Sequence, residues 1–288
     1  MTHPLAGGKG LDSFRESMLS DKRIEKIVDF PNPKDCFPNA NISGGVCYFL
    51  WNKKYDGKCE FTNVVDGQKT TASRCLSEFD IFVRYNNALS IINKVHNIDF
   101  TQLGNIVSSR NLYNLSSSIR GEAFKTEKNY ITVFSSKGTG YIGEKDFNSN
   151  SESWKKYKLF MGKVLSGHIG ETDNNGQVKV ISSVFYSSPN EVCTDSYLVI
   201  GCFESKIEAI NIEKYFKTKF LRFLLLQSLV SMNISKGNFR FVPIQDFTPQ
   251  SDIDWTQSIA DIDKQLYRKY KLDEDEIEFI EKMIKPMD

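Results

Sequence analysis

Hydrophobic and polar residues follow one rhythm in the first quarter of the chain and others after it. Residues 11–21 have helical spacing: Asp12 stands at a capping position, and Phe14, Met18 and Leu19 share a face. Ile24–Phe30 has the apolar weight of a strand. Pro31-Asn32-Pro33 ends it, because proline cannot donate to a ladder. Val46–Trp51 is an unbroken apolar run, the pattern of a strand buried on both faces. Asp56-Gly57 signals a hairpin turn, from which residues 58–65 return. These elements predict one helix and two or three strands, an open-edged sheet fragment too small to bury a core of its own. Thr70-Thr71-Ala72-Ser73 reads as a polar break.

A helix is predicted over 86–95, carrying Leu89, Ile91, Ile92 and Val95. Residues 103–109 open a region of short strands and polar turns, with apolar landmarks at 130–134, 141–142, 158–161, 179–181 and 197–203. The Ser- and Asn-rich stretch 148–153 reads as a loop. From Glu204 the period becomes helical through Ile207, Ile210, Tyr215, Phe216, Phe220, Phe223, Leu224, Leu226 and Leu229. Residues 239–243 form a short strand or turn. The tail is helical again over 261–283, with Asp273 capping its last helix and Glu276 as capping-box partner. The pattern predicts an α/β opening, a mixed α+β middle and C-terminal helices, with no internal repeat.

Composition narrows the class. The 288 residues suit one large domain or two modest ones, and 40% hydrophobic content supports an ordinary globular core. The net charge of +1 says nothing about partners, but its distribution does: residues 101–170 hold ten Lys/Arg against five Asp/Glu, and residues 251–288 hold six against eleven. A basic middle suits a polyanion-facing surface, and an acidic tail suits a solvated or docking helix. The six cysteines contain no C-x-x-C pair, and with only three histidines no zinc spacing exists. Free thiols in apolar runs fit a reducing, cytoplasmic compartment. No signal-peptide core is seen, and the longest apolar run, near Phe220–Met232, is broken by Arg222, Gln227 and Ser228, so no membrane segment is expected.

Several motifs invite chemistry. Gly138-Thr139-Gly140-Tyr141-Ile142-Gly143 matches G-x-G-x-x-G, but the polar residues after it have no helical period, so a hairpin is expected rather than a dinucleotide turn. Gly7-Gly8-Lys9-Gly10 lacks the strand and the Lys-Ser/Thr ending of a phosphate loop. Asp195 with Glu204-Ser205-Lys206 has the outline of a Mg²⁺-dependent nuclease site, two carboxylates for metal and a lysine near the attacking water. Glu204 would equally suit a helix start. His96 and His168 have no nucleophile partner set by spacing. Trp154-Lys155-Lys156-Tyr157-Lys158, continuing to Lys163, could neutralise phosphates. Arg110 and Arg120 stand in polar Ser/Asn-rich loops, where an arginine fork could read guanine in a major groove.

The order of longer segments adds a resemblance. Gly7-Gly8-Lys9-Gly10-Leu11-Asp12-Ser13-Phe14-Arg15, Arg23-Ile24-Glu25-Lys26-Ile27-Val28-Asp29-Phe30, Cys36-Phe37-Pro38 and Ile42-Ser43-Gly44-Gly45-Val46-Cys47-Tyr48-Phe49-Leu50-Trp51 resemble the last part of the catalytic domain in adenine-N6 DNA methyltransferases of the type IIG restriction-modification kind. Residues 110–124, 130–142 and 154–170 are similar to the target-recognition region of that family. Residues 193–197, 215–224 and 239–247 resemble its later half, and residues 263–272 and 277–281 its C-terminal segment. The resemblance implies the end of a Rossmann-like methyltransferase sheet in residues 1–70, a mixed α+β DNA target-recognition domain in 71–250 and a bracing helical segment in 251–288.

The family's cofactor turn, aromatic-x-Gly-x-Gly, and its catalytic Asn/Asp-Pro-Pro-aromatic motif are both missing here; Asn32-Pro33-Lys34 is the nearest approach. No catalytic, cofactor or metal residue is therefore carried over. S-adenosylmethionine is expected in the complete enzyme, held by a separate or missing N-terminal methyltransferase portion. Double-stranded DNA is the expected partner, contacted through Arg110, Arg120, Lys137, Lys155, Lys156, Lys158 and Lys163. The alternative is a Mg-dependent restriction endonuclease subunit using Asp195, Glu204 and Lys206.

Overall fold

The structure is a computed structural model and describes residues 12–287 except 40–41, 43–44, 66, 99, 166–171, 174 and 230–231. Gly7-Gly8-Lys9-Gly10 and His168 lie outside the described residues.

The N-terminal unit comprises helix α1 (Asp12–Ser20) and strands β1 (Ile24–Phe30), β2 (Val46–Trp51), β3 (Cys59–Val65) and β4 (Gln68–Arg74). They form one mixed sheet in the order β2-β1-β3-β4. β1 pairs antiparallel with β2 and parallel with β3. The turn expected at Asp56-Gly57 therefore does not fold β3 back on β2, because β1 lies between them. The hairpin of this sheet is β3–β4, where Val65 pairs with Gln68 and Gly67 takes φ +75. A positive φ is open to glycine without steric penalty, so Gly67 suits this turn. Thr70–Ser73 is accordingly strand rather than break. An edge strand is held by ladder hydrogen bonds and can keep polar side chains in water, and β4 is exposed over most of its length.

β2 departs from expectation in the opposite sense. Its apolar run is not buried on both faces: Tyr48 is 61% exposed and Trp51 43%, with Phe49 and Leu50 between them in value. Among the described residues the run occupies a sheet edge and pairs only with β1. Leu19, Ile24, Ile27, Cys59, Phe61, Leu76 and Phe82 form the small core of this unit. The unit carries through β4 to Arg74, past the boundary expected at residue 70.

After helix α2 (Asn86–His96) come two three-stranded sheets. One orders β6 (Gly138–Ile142), β5 (Ile131–Ser135) and β9 (Glu191–Cys193); the other orders β10 (Tyr197–Phe203), β7 (Tyr157–Gly162) and β8 (Val184–Ser187). Period-two alternation divides β7 and β10 between two cores. Leu159, Met161, Leu198 and Ile200 enter the main core, whereas Phe160 and Val199 join Ile131, Val133, Val192 and Trp154 in a second one. The hairpin reading of the glycine motif holds: β5 and β6 pair antiparallel across the turn at Ser136-Lys137. Residues 179–181 form no strand; Val180 and Ile181 pack into the main core from irregular chain.

Helices α3 (Lys206–Lys217), α4 (Lys219–Leu226), α5 (Ile259–Lys269) and α6 (Glu274–Met283) complete the main core. α6 carries the expected capping box between Asp273 and Glu276. The acidic tail is integral to this core: Ile262, Leu266, Tyr267, Tyr270, Ile280 and Ile284 are all buried in it. Among the described residues the chain is thus a mixed α+β protein with three sheets and six α-helices. No described helix is long and apolar enough to cross a membrane.

Candidate nucleic-acid interface

The site is assembled from the loop after Val107, the β5–β6 hairpin, and the chain ends that follow β7 and β9. Ser108 is tied to β10 twice: its N–H donates to the Val199 carbonyl (2.8 Å), and its hydroxyl accepts from the Val199 N–H (3.1 Å). Asn111 and Asn114 both adopt φ 53, and the Asn114 N–H closes a turn onto the Asn111 carbonyl (2.9 Å). Asparagine tolerates this left-handed region better than most residues. Tyr113 is buried with its hydroxyl 2.9 Å from Ser153 Oγ, and Leu115 is buried beyond it. The loop is therefore anchored at both ends, and Arg110 stands out from it with a 59% exposed side chain.

Arg110 Nη2 donates to Asp195 Oδ2 at 3.2 Å, and Lys163 Nζ reaches the same oxygen at 2.6 Å. The Asp195 N–H donates to the Leu115 carbonyl (2.8 Å), which fixes the residue where β9 ends. Partial burial pushes the Asp195 carboxyl up, but the hydrogen bond and charge of Lys163 together with Arg110 outweigh it and hold the group below its ordinary value. Its other oxygen, Oδ1, is buried with no hydrogen-bond partner among the described residues.

Three further contacts bring other cations to this end of the sheets. The Thr194 N–H donates to the Phe134 carbonyl (2.9 Å), so the end of β9 abuts the end of β5, where the Ser136-Lys137 turn begins. Lys163 N–H donates to the Ser196 carbonyl at 3.2 Å. The chain from Leu115 to Gly121 crosses β6, and the Glu122 N–H donates to the Tyr141 carbonyl (2.8 Å). A Cβ on Gly140 would stand 1.9 Å from the Arg120 carbonyl oxygen, and one on Gly121 (φ +75) would meet the Tyr141 nitrogen at 2.7 Å. Of the glycines in the 138–143 motif, Gly140 is the one that permits this close backbone crossing. Arg120 folds its Nη1 onto the Ser117 (2.6 Å) and Ile119 (2.7 Å) carbonyls of its own loop.

Of the seven sequence-predicted cations, Arg110 and Lys163 thus meet at Asp195, the turn that bears Lys137 begins beside them where Thr194 joins Phe134, and Arg120 lies over Gly140 of β6. The other three do not join them. Lys155 and Lys156 precede β7, at the opposite end of that strand from Lys163, roughly 20 Å of extended chain away. Lys155 lies 5.2 Å over the Trp154 ring and pairs with Glu152, and Lys156 pairs with Glu204. Lys158 is a correction to the expected contact set: it is fully buried within β7, where Nζ donates to the Lys156 (3.1 Å) and Ser188 (2.7 Å) carbonyls. Strand alternation turns it inward, away from any phosphate. Burial pushes its pKa down to about 8.

The nuclease outline does not assemble. Asp195 is engaged by Lys163 and Arg110, Glu204 by Lys156, and Lys206 Nζ lies 5.3 Å over the Tyr186 ring. Among the described residues no group of three or more His, Cys, Asp or Glu side chains could hold a metal ion. Sequence reasoning missed the role of Asp195 as the common anchor of two cations. Residues 110, 163 and 195 have no shared local signal, and only the asparagines beside Arg110 mark its loop as a turn.

No family model matches the chain. A 46-residue stretch, 16% of the chain, is 44% identical to an uncharacterized adenine-specific methylase of Mycoplasma pneumoniae and spans 11% of that relative's length. Among solved structures, the type IIG restriction endonuclease BpuSI overlays 90% of this chain and 41% of its own, at 10% identity and a TM-score of 0.37, too low to establish a common fold.

Proposed function

We propose that this chain is the DNA-recognition part of a restriction-modification adenine-N6 methyltransferase, and that it binds duplex DNA with the end of the paired sheets that carries Arg110, Arg120, Lys137 and Lys163. The observation that carries this reading is the meeting of Arg110 and Lys163, far apart in sequence, at Asp195, close to where the turn bearing Lys137 begins. The stretch of identity to a protein described as an adenine-specific methylase supports it, as do the type IIG-like segments in their order along the chain. Lys155 and Lys156, at the far end of β7, are then a second, peripheral phosphate contact.

Methyl transfer itself belongs to polypeptide beyond these residues. Amino methylation of adenine needs a bound sulfonium donor and a pocket that extracts the base. The buried carboxylate near the end of β1, Asp29, is clamped by Arg84 (2.7 and 2.8 Å) and lies beside Asn63, so it is not offered to a ligand. The unpaired apolar edge of β2 is where a methyltransferase portion would extend the sheet.

Fluorescence anisotropy with a labelled duplex tests the reading. The affinity should fall by roughly two orders of magnitude between 50 and 200 mM salt, as about four phosphate contacts, from Arg120, Lys137, Lys155 and Lys156, require. Absence of binding at low salt, or tight capture of S-adenosylmethionine by this chain alone in calorimetry, overturns it.

A further inference from the structure

The cations at the candidate interface are not equivalent, and their differences assign them different work. Lys163 is largely buried and committed to Asp195 at 2.6 Å. Arg120 bonds carbonyls of its own exposed loop. Arg110 alone combines an exposed guanidinium with a reference point on the framework, since a single Nη2 contact ties it to a carboxylate fixed by the Leu115 carbonyl and by Lys163. The carboxylate keeps a buried oxygen without a hydrogen-bond partner among the described residues. Its Oδ2 accepts from both Lys163 and Arg110, so the point at which the guanidinium is braced is set by the framework and not by the arginine's own loop.

An arginine braced at one nitrogen keeps its remaining N–H donors for a planar acceptor pair. Guanine presents O6 and N7 in that geometry in the major groove, and the bidentate contact is the commonest specific one. A phosphate would accept any cation here; a guanine edge requires the fork.

We propose that Arg110 reads a guanine in the target duplex, with Asp195 as its positioning residue and Lys163 as the counter-charge that fixes Asp195 rather than a phosphate contact. This rests on the duplex-binding reading above. It goes beyond that reading by separating the residue that specifies sequence from those that supply affinity.

The test is enrichment of binding sites from a randomised duplex library by the full chain, its Arg110→Lys variant and its Asp195→Asn variant. The lysine variant keeps the charge and the exposed position, so its circular dichroism spectrum and melting temperature should match the parent's, which separates loss of reading from loss of folding. One position held as guanine by the parent should become degenerate in Arg110→Lys, with discrimination there reduced roughly ten- to a hundred-fold, while the other positions persist. Asp195→Asn should relax the same position with an unchanged slope of affinity against salt, a result that a merely structural loss would not give. Identical motifs from the parent and Arg110→Lys overturn the assignment. Salt-dependent binding by the parent with no sequence preference overturns it too, yet leaves duplex binding intact. No binding by the parent overturns both.

Discussion

Lys158 shows how much a single side chain depends on its place in the sheet. In sequence it continues a run of lysines; in the structure it has no exposed surface and gives its protons to two carbonyls. Burial lowers its pKa from the ordinary 10.5 to about 8, against the weaker upward pull of Glu191, Cys193 and Cys202. Between those values the unfolded chain binds a proton that the folded chain does not, so this group makes stability rise with pH across that window. The unfolding free energy of the parent relative to a Lys158→Met variant should therefore increase by up to about 3 kcal/mol from pH 7.5 to 10.5. Urea unfolding at a series of pH values measures this, and a flat difference would show that the ammonium reaches water. Arg110 is the converse case, an exposed group whose position is fixed by framework atoms rather than by its own loop.

At the scale of elements, several boundaries were legible because local chemistry sets them. The strand Ile24–Phe30 stops at a proline pair, and α6 starts at the Asp273–Glu276 box. Partners were not legible, because backbone hydrogen bonds accept any side chain. β4 is polar and still a strand, and the hairpin of this sheet turns through Gly67, between β3 and β4, rather than at Asp56-Gly57. A contact between helices shows the same limit. Asp263 on α5 accepts the N–H groups of Lys219 and Phe220 at the start of α4, both at 2.9 Å. Burial raises its pKa to about 6, so at neutral pH it is an anion set against the positive end of α4. Asp263→Ala leaves those donors buried without it, and should lower the urea unfolding free energy by about 2 kcal/mol at pH 7.5. A loss below a few tenths would mean that α4 finds another cap.

Across the whole molecule, the tail shows what composition leaves open. Eleven acidic residues in 251–288 suit either a solvated or a docking helix. The structure decides for docking: one face of each tail helix sits in the main core, and the Ile284–Val178 bridge and the Lys94–Glu276 ion pair tie the tail back. Truncation before residue 251 should therefore abolish cooperative unfolding in calorimetry rather than release a stable 1–250 unit. A sharp transition in the truncated chain would restore the tail to the status of a brace. The same scale governs the candidate interface. Val107 and Ser108 hang on β10, Lys163 follows β7 and Asp195 follows β9, so the cluster exists only when both sheets are formed.

The sequence by itself determined where most helices and several strands lie and the capping box that starts the last helix. Those properties depend on residues a few positions apart. Only the tertiary structure decided which apolar run lies inside. Tyr-Lys-Leu-Phe-Met-Gly of β7 and Val-Cys-Tyr-Phe-Leu-Trp of β2 have similar apolar weight, yet the first is covered by two cores and the second lines a sheet edge. Burial depends on what packs across the sheet, and that neighbour comes from a distant part of the chain. The grouping of Arg110 with Lys163 around Asp195 has the same origin: charges meet where strands end, and strand order is settled by packing rather than by spacing.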